Sequence, residues 1–157
     1  VEIMEAKYMV SLLSPYSMIC TPRSIRPENH LKLEMDDIEF QIEGMRHPNI
    51  EHVNTLLEFG DALVGTPDVV VHCYMGKSRS VAALLLLLVQ RNQGNEQEVI
   101  DMVFQGAPHI RPNRLLIKIG DAELGCDGRL IRAVNKMPEP STEEFDGIVS
   151  FPWSPTY

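Results

Sequence analysis

Cysteine is scarce in this 157-residue chain, basic residues are outnumbered, and no apolar run is long enough to cross a bilayer. Each shortage excludes a class. Cys20, Cys73 and Cys126 are an odd, widely spaced set without a C-x-x-C pair, which removes the disulfide-scaffold and zinc-knuckle readings. The longest unbroken apolar run, residues 81–89, has nine residues against the about 20 that a spanning helix needs, so no membrane span is expected. Fourteen Lys and Arg against twenty-two Asp and Glu leave a net charge of −8. That charge repels polyanions at long range, so no nucleic acid or general membrane-surface partner is expected, and any anion site must be local. The opening VEIMEAKYMV lacks the basic n-region of a signal peptide and reads as the lead into a strand. The odd, widely spaced cysteines point to a reducing, cytoplasmic location.

What is present is an average globular mixture, 44% hydrophobic and 23% charged, of a length that suits one domain. Strand periodicity occurs three times: residues 8–13, mostly apolar; residues 31–35, where Leu31, Leu33 and Met35 alternate with Lys32 and Glu34; and residues 68–72, β-branched and apolar on both faces. The third reads as a central strand covered by helices. Helical spacing follows in Ile50, Val53, Leu56 and Leu57 after His47-Pro48-Asn49. Residues 78–90 form a helix apolar almost all round; residues 96–104 and 113–124 form two more, with Asn95 and Asn113 as caps, and residues 129–136 a last short one. The expected fold is α/β, a central, mostly parallel sheet flanked by helices. Beyond residue 137 prolines and acids dominate and no basic residue follows Lys136. The chain therefore divides into a domain of residues 1–137 and an acidic, Pro-rich tail of residues 138–157. Four large apolar residues, Ile148, Val149, Phe151 and Trp153, argue that this tail is draped over the domain rather than loose.

One segment carries chemistry: Val69-Val70-Val71-His72-Cys73-Tyr74-Met75-Gly76-Lys77-Ser78-Arg79-Ser80, a buried strand, a tight loop and a helix start. Such a loop aims successive backbone N–H groups and the positive end of the helix dipole at one point, which favours an anion. Gly76 permits the turn, and the Arg79 guanidinium matches two phosphate oxygens. A cysteine at the floor of that field is stabilised as thiolate, its pKa drawn from about 8.5 toward the roughly 3.5–7.5 range of reactive cysteines.

His72-Cys73, five residues, then Arg79-Ser80 resembles the H-C-x5-R-S/T signature of the cysteine-dependent protein tyrosine phosphatases, and Gly76 fits the pattern too. The order of elements over residues 9–137 is similar to the compact dual-specificity branch, and looks nearest to its small bacterial members. The resemblance implies hydrolysis of a phosphorylated protein or small phosphomonoester with no metal or cofactor. It implies Cys73 as nucleophile forming a cysteinyl-phosphate, and Arg79 with the amides of Tyr74, Met75, Gly76, Lys77 and Ser78 holding the phosphoryl oxygens. His72 is implied to orient the loop, and Ser80 to ease departure of the sulfur. A general acid is implied on the loop after the second strand, where Met35-Asp36-Asp37-Ile38 is the acidic cluster. The family pattern of Asp before Ile aligns with Asp37, with Asp36 as the alternative. A thiolate paired with a protonated acid implies an acidic pH optimum.

The departures matter. No W-P-D triad is present, the sole Trp being Trp153, so the pocket is expected to be shallower than in the phosphotyrosine-only branch. Lys77 resembles the loop lysine of tensin-type phosphoinositide phosphatases, although Tyr74 stands where that group often has a second one. A rhodanese-like sulfurtransferase and a non-catalytic phosphate-binding module are the competing readings. His109, Arg111 and Arg114 read as an exposed basic helix start, Glu39 and Glu43 as solvated, and Cys20 and Cys126 as small buried or half-buried hydrophobes.

Overall fold

The three runs of strand periodicity pair into one parallel sheet: β1 (Tyr8–Leu13), β2 (His30–Glu34) and β3 (Val69–His72), in the order β2-β1-β3. The computed structural model describes residues 6–145 and 147–155. Residues 1–5, Asp146 and residues 156–157, which the sequence reading places in the lead-in to β1 and in the tail, lie outside the described residues. The register sets Leu12 beside Leu33 and Val10 beside Val71, so the branched residues of neighbouring strands meet on shared faces.

One expectation is corrected. The central strand is β1, whose residues 9–13 are all buried, whereas β3 is an edge strand and only half-buried throughout. The two apolar faces of β3 have another cause. Its strand packs beside the helix that follows it, and residues 148–153 of the tail line, together with Val69, Val70 and Val71, a cavity of about 550 Å³. An apolar edge strand covered by a later segment and a truly central strand look the same in sequence.

Five helices follow the expected spacing: α1 (Ile50–Ala62), α2 (Arg79–Arg91), α3 (Glu96–Gly106), α4 (Arg114–Glu123) and α5 (Arg129–Asn135). Asn49 caps α1 by accepting the His52 N–H at 3.1 Å while His52 Nδ1 accepts the Asn49 N–H. The Asn113 side-chain Oδ1 caps α4 by accepting the Leu116 N–H, whereas Asn95 starts α3 with no side-chain cap. Helix α2 is the core, with Leu85 to Val89 each no more than 2% exposed and α1, α3 and α4 packed around it. Gly120 makes room for it, since a Cβ there would lie 2.1 Å from Leu86 Cδ2. Truncating one of these leucines to Ala would cost about 2–5 kcal/mol. The connection from β1 to β2 holds no α-helix but two 3-10 turns, each begun by a proline, Pro15 and Pro27.

The residues after Met137 touch the domain at several points. The Trp153 indole donates to the Pro67 carbonyl at 2.9 Å, the Arg91 guanidinium lies 4.1 Å above the indole centroid, and Asn92 donates to the Trp153 carbonyl at 2.7 Å. Phe145 stacks on His109 at 4.5 Å, and Ser141 N–H donates to the Pro108 carbonyl.

Candidate active site

Between the end of β3 and the first turn of α2 the backbone turns through Gly76, whose φ of +69° is strained for any residue with a Cβ. The turn folds residues 74–78 around the Cys73 side chain, which is 8% exposed. Burial works against ionisation of that thiol, but four hydrogen bonds outweigh it and set its pKa below the ordinary value: the Ser80 hydroxyl, 3.2 Å from Sγ, and the backbone N–H groups of Ser80, Gly76 and Ser78. The loop is braced from outside, because the Arg111 N–H donates to the Lys77 carbonyl and the Asn113 N–H to the Ser78 carbonyl. Tyr74, Met75 and Gly76 are exposed, and Lys77 and Ser78 half-buried.

Arg79 starts α2 and is 6% exposed. Its Nη1 donates to the Met35 carbonyl at 2.8 Å, which ties the loop to the end of β2. Its Nε has no hydrogen-bond partner, the Asp37 Oδ2 standing 3.9 Å away. A buried guanidinium N–H left without an acceptor is costly, and an anion in the loop is the group that would satisfy it.

The neighbouring carboxylates behave differently. Asp36 accepts the Ser14 hydroxyl at 2.5 Å and the Arg46 N–H at 2.8 Å, and these two bonds hold its pKa below the ordinary value. It is an anchor for the 36–46 loop. Asp37 turns toward the Cys73 loop, where its Oδ1 accepts from the Ser78 hydroxyl at 2.7 Å and from the Asn113 amide at 3.0 Å. The structure therefore brings Cys73, Ser78, Arg79, Ser80 and Asp37 together, whereas both oxygens of Asp36 are taken by Ser14 and Arg46. His72 lies behind, its Nδ1 3.3 Å from the Cys73 carbonyl.

Several participants escape the sequence reading. Asn113 reads as a helix cap and is one, but its amide also donates to Asp37 and to the Ile38 carbonyl, and so carries the acidic loop. Glu39, read as solvated, is exposed, and its carboxylate also accepts the Arg114 N–H at 2.8 Å. Cys20, expected to be at least half-buried, is exposed, while Cys126 is fully buried. Arg111 and Arg114 are exposed. Ser11, a lone hydroxyl in the apolar run YMVSLL, was the visible signal of a polar contact within the sheet. Among the described residues no group of three or more His, Cys, Asp or Glu is arranged to hold a metal ion.

Chemically, the site joins a low-pKa sulfur, converging N–H donors, an unpartnered buried guanidinium and a carboxylate at the rim. That set can bind a tetrahedral oxyanion, attack it and protonate what leaves.

No family model matches the chain. Over 85 residues, 54% of its length, it is 29% identical to MAP kinase phosphatase with leucine-rich repeats protein 1 of Dictyostelium discoideum, and over 84 residues it is 27% identical to protein 2 of the same name. The matches span 10% and 11% of those relatives. Among solved structures, the Yvh1 phosphatase domain from Chaetomium thermophilum superimposes with a TM-score of 0.49 at 20% identity, over 80% of this chain and 82% of that one. PTPMT1, solved in complex with PI(5)P, superimposes with a TM-score of 0.52 at 16% identity, over 78% of this chain and 81% of that one. The chain thus has the parallel-sheet, helix-flanked fold of the phosphotyrosine-phosphatase-like proteins.

Proposed function

We propose that this chain hydrolyses phosphomonoesters, as a dual-specificity-type protein phosphatase working through a cysteinyl-phosphate. The observation that carries the reading is the Cys73 sulfur ringed by the Ser80 hydroxyl and three backbone N–H groups beside the unpartnered Arg79 Nε. In the first step Cys73 Sγ attacks phosphorus and forms the S–P bond as the P–O bond to the leaving group breaks. Asp37 gives its proton to that oxygen. In the second step water attacks the phosphocysteine, Asp37 takes the water proton, and the S–P bond breaks with the Ser80 hydroxyl donating to the departing thiolate. Arg79 Nε and the loop amides hold the equatorial oxygens in both steps. The limited likeness to two MAP kinase phosphatases supports a phosphorylated protein as substrate.

A phosphoinositide is the second reading, favoured by Lys77 within the loop and by the shared fold with PTPMT1, which was solved with PI(5)P. Turnover of p-nitrophenyl phosphate tests the chemistry: activity is expected in the native chain and none in Cys73→Ser, and activity that survives this change overturns the proposal. Comparing phosphotyrosyl peptide, phosphoseryl peptide and phosphoinositide then separates the substrate classes.

A further inference from the structure

Ser11 sits at the middle of β1, fully buried and flanked by Val10 and Leu12. A hydroxyl there needs partners, and it has two. Its Oγ lies 2.6 Å from His72 Nε2 on β3 and 2.7 Å from His30 Nε2 on β2. His30 is 8% exposed, and its Nδ1 lies 2.9 Å from the Thr21 hydroxyl in the β1–β2 connection. A continuous series therefore crosses the whole sheet, from Thr21 through His30, Ser11 and His72 to the carbonyl of Cys73.

With both imidazoles neutral, one direction for each bond satisfies every partner. A carbonyl only accepts, so His72 Nδ1 must carry the hydrogen that faces Cys73 O. Burial favours the neutral form of both imidazoles, and at His30 the charge of Lys32 on β2 adds to this. Neutral His72 then has a bare Nε2, to which the Ser11 hydroxyl donates. The Ser11 oxygen accepts from His30 Nε2–H, and the bare His30 Nδ1 accepts from Thr21. All four donors point toward Cys73. Protonating His72 would force the Ser11 hydroxyl to turn round and His30 to change tautomer, so one orientation of the series is favoured as a unit.

We propose that Ser11 and His30 are positioning residues, which through His72 fix the Cys73–Tyr74 peptide so that the following amides face the sulfur. The inference rests on the reading of the site as a phosphatase centre. It assigns a catalytic consequence to two buried residues that touch neither sulfur nor substrate. Their effect reaches Cys73 through the His72 contact to the Cys73 carbonyl, at the start of the loop whose Gly76, Ser78 and Ser80 N–H groups face the sulfur.

The test compares His30→Phe, which keeps the ring volume without the hydrogen bonds, with His30→Gln, which restores one donor. Three quantities are read: the pH midpoint of Cys73 alkylation by iodoacetamide, kcat against KM on p-nitrophenyl phosphate, and the melting temperature. His30→Phe is expected to raise the midpoint by about half a unit to one unit and lower kcat about 3- to 10-fold with KM little changed, the scale of one lost hydrogen bond. His30→Gln should regain most of both. Ser11→Ala should shift the midpoint the same way, and serves if His30→Phe does not fold. A melting temperature that drops while the midpoint and kcat stay put overturns the positioning role alone, as does His30→Gln being as impaired as His30→Phe. An ordinary Cys73 thiol in the native chain overturns the phosphatase reading, and this inference with it.

Discussion

Two thiols lie buried in this chain, at opposite ends of the charge scale. Cys73 is ringed by N–H donors and the Ser80 hydroxyl, and its pKa is lowered although burial opposes it. Cys126, in the corner between α4 and α5, is pushed up to about 12 by burial and by the carboxylates of Glu96 and Asp121, which the Arg129 charge offsets only in part. The lesson is that burial by itself suppresses charge, and that what faces the buried atom decides whether it ionises. In the α4–α5 corner the donors are used by oxygen: Asp121 accepts the N–H groups of Gly128, Leu130 and Ile131, and Glu96 pairs with Arg129 at 3.2 Å. That corner is structural. In the Cys73 loop the donors are left for the sulfur and for whatever anion joins it.

The rule extends to the adjacent carboxylates, where the largest effect is expected. Asp37 accepts from Ser78 of the Cys73 loop, whereas the oxygens of Asp36 are engaged by Ser14 and Arg46. Asp37→Asn should therefore lower kcat on an aryl phosphate about 10²-fold or more and flatten the pH-rate profile, with far less effect on phosphate binding. Asp36→Asn should act mainly on stability. A kinetic loss from Asp36→Asn exceeding that from Asp37→Asn would reverse the assignment.

A smaller effect sharpens the contrast between the two thiols. From the ordinary thiol value up to about pH 12 the unfolded chain loses the Cys126 proton while the folded chain keeps it. Stability should thus fall as pH rises through this window, by at most about 1.4 kcal/mol per unit. Cys73 acts with the opposite sign: its contribution is present above the unfolded thiol value and is lost as pH falls through its lowered folded value. Melting curves from pH 9 to 11 should show a steeper decline in the native chain than in Cys126→Ala, and equal slopes would contradict the picture of the corner.

Much of this was legible in the chain itself, for physical reasons. The strands and helices follow from period-2 and 3.6-residue patterns, and the loop from a glycine, a cysteine and an arginine at fixed spacing between a strand and a helix. The place of β3 was not legible, because a run apolar on both faces does not say whether a strand or a later segment covers it. Nor was the brace on the acidic loop, since Asn113 meets Asp37 across 76 positions of sequence. The polar series through Ser11 and His30 joins three strands and a connection, and no local pattern encodes a contact that only sheet order creates.

The most direct measurement is the pH dependence of Cys73 alkylation by iodoacetamide in a Cys20→Ser background, which removes the exposed competing thiol. An inflection below the ordinary thiol value, moved upward in Ser80→Ala, is the expected result. An inflection at or above that value, indifferent to Ser80→Ala, would contradict the claim that this loop is built to hold a sulfur anion.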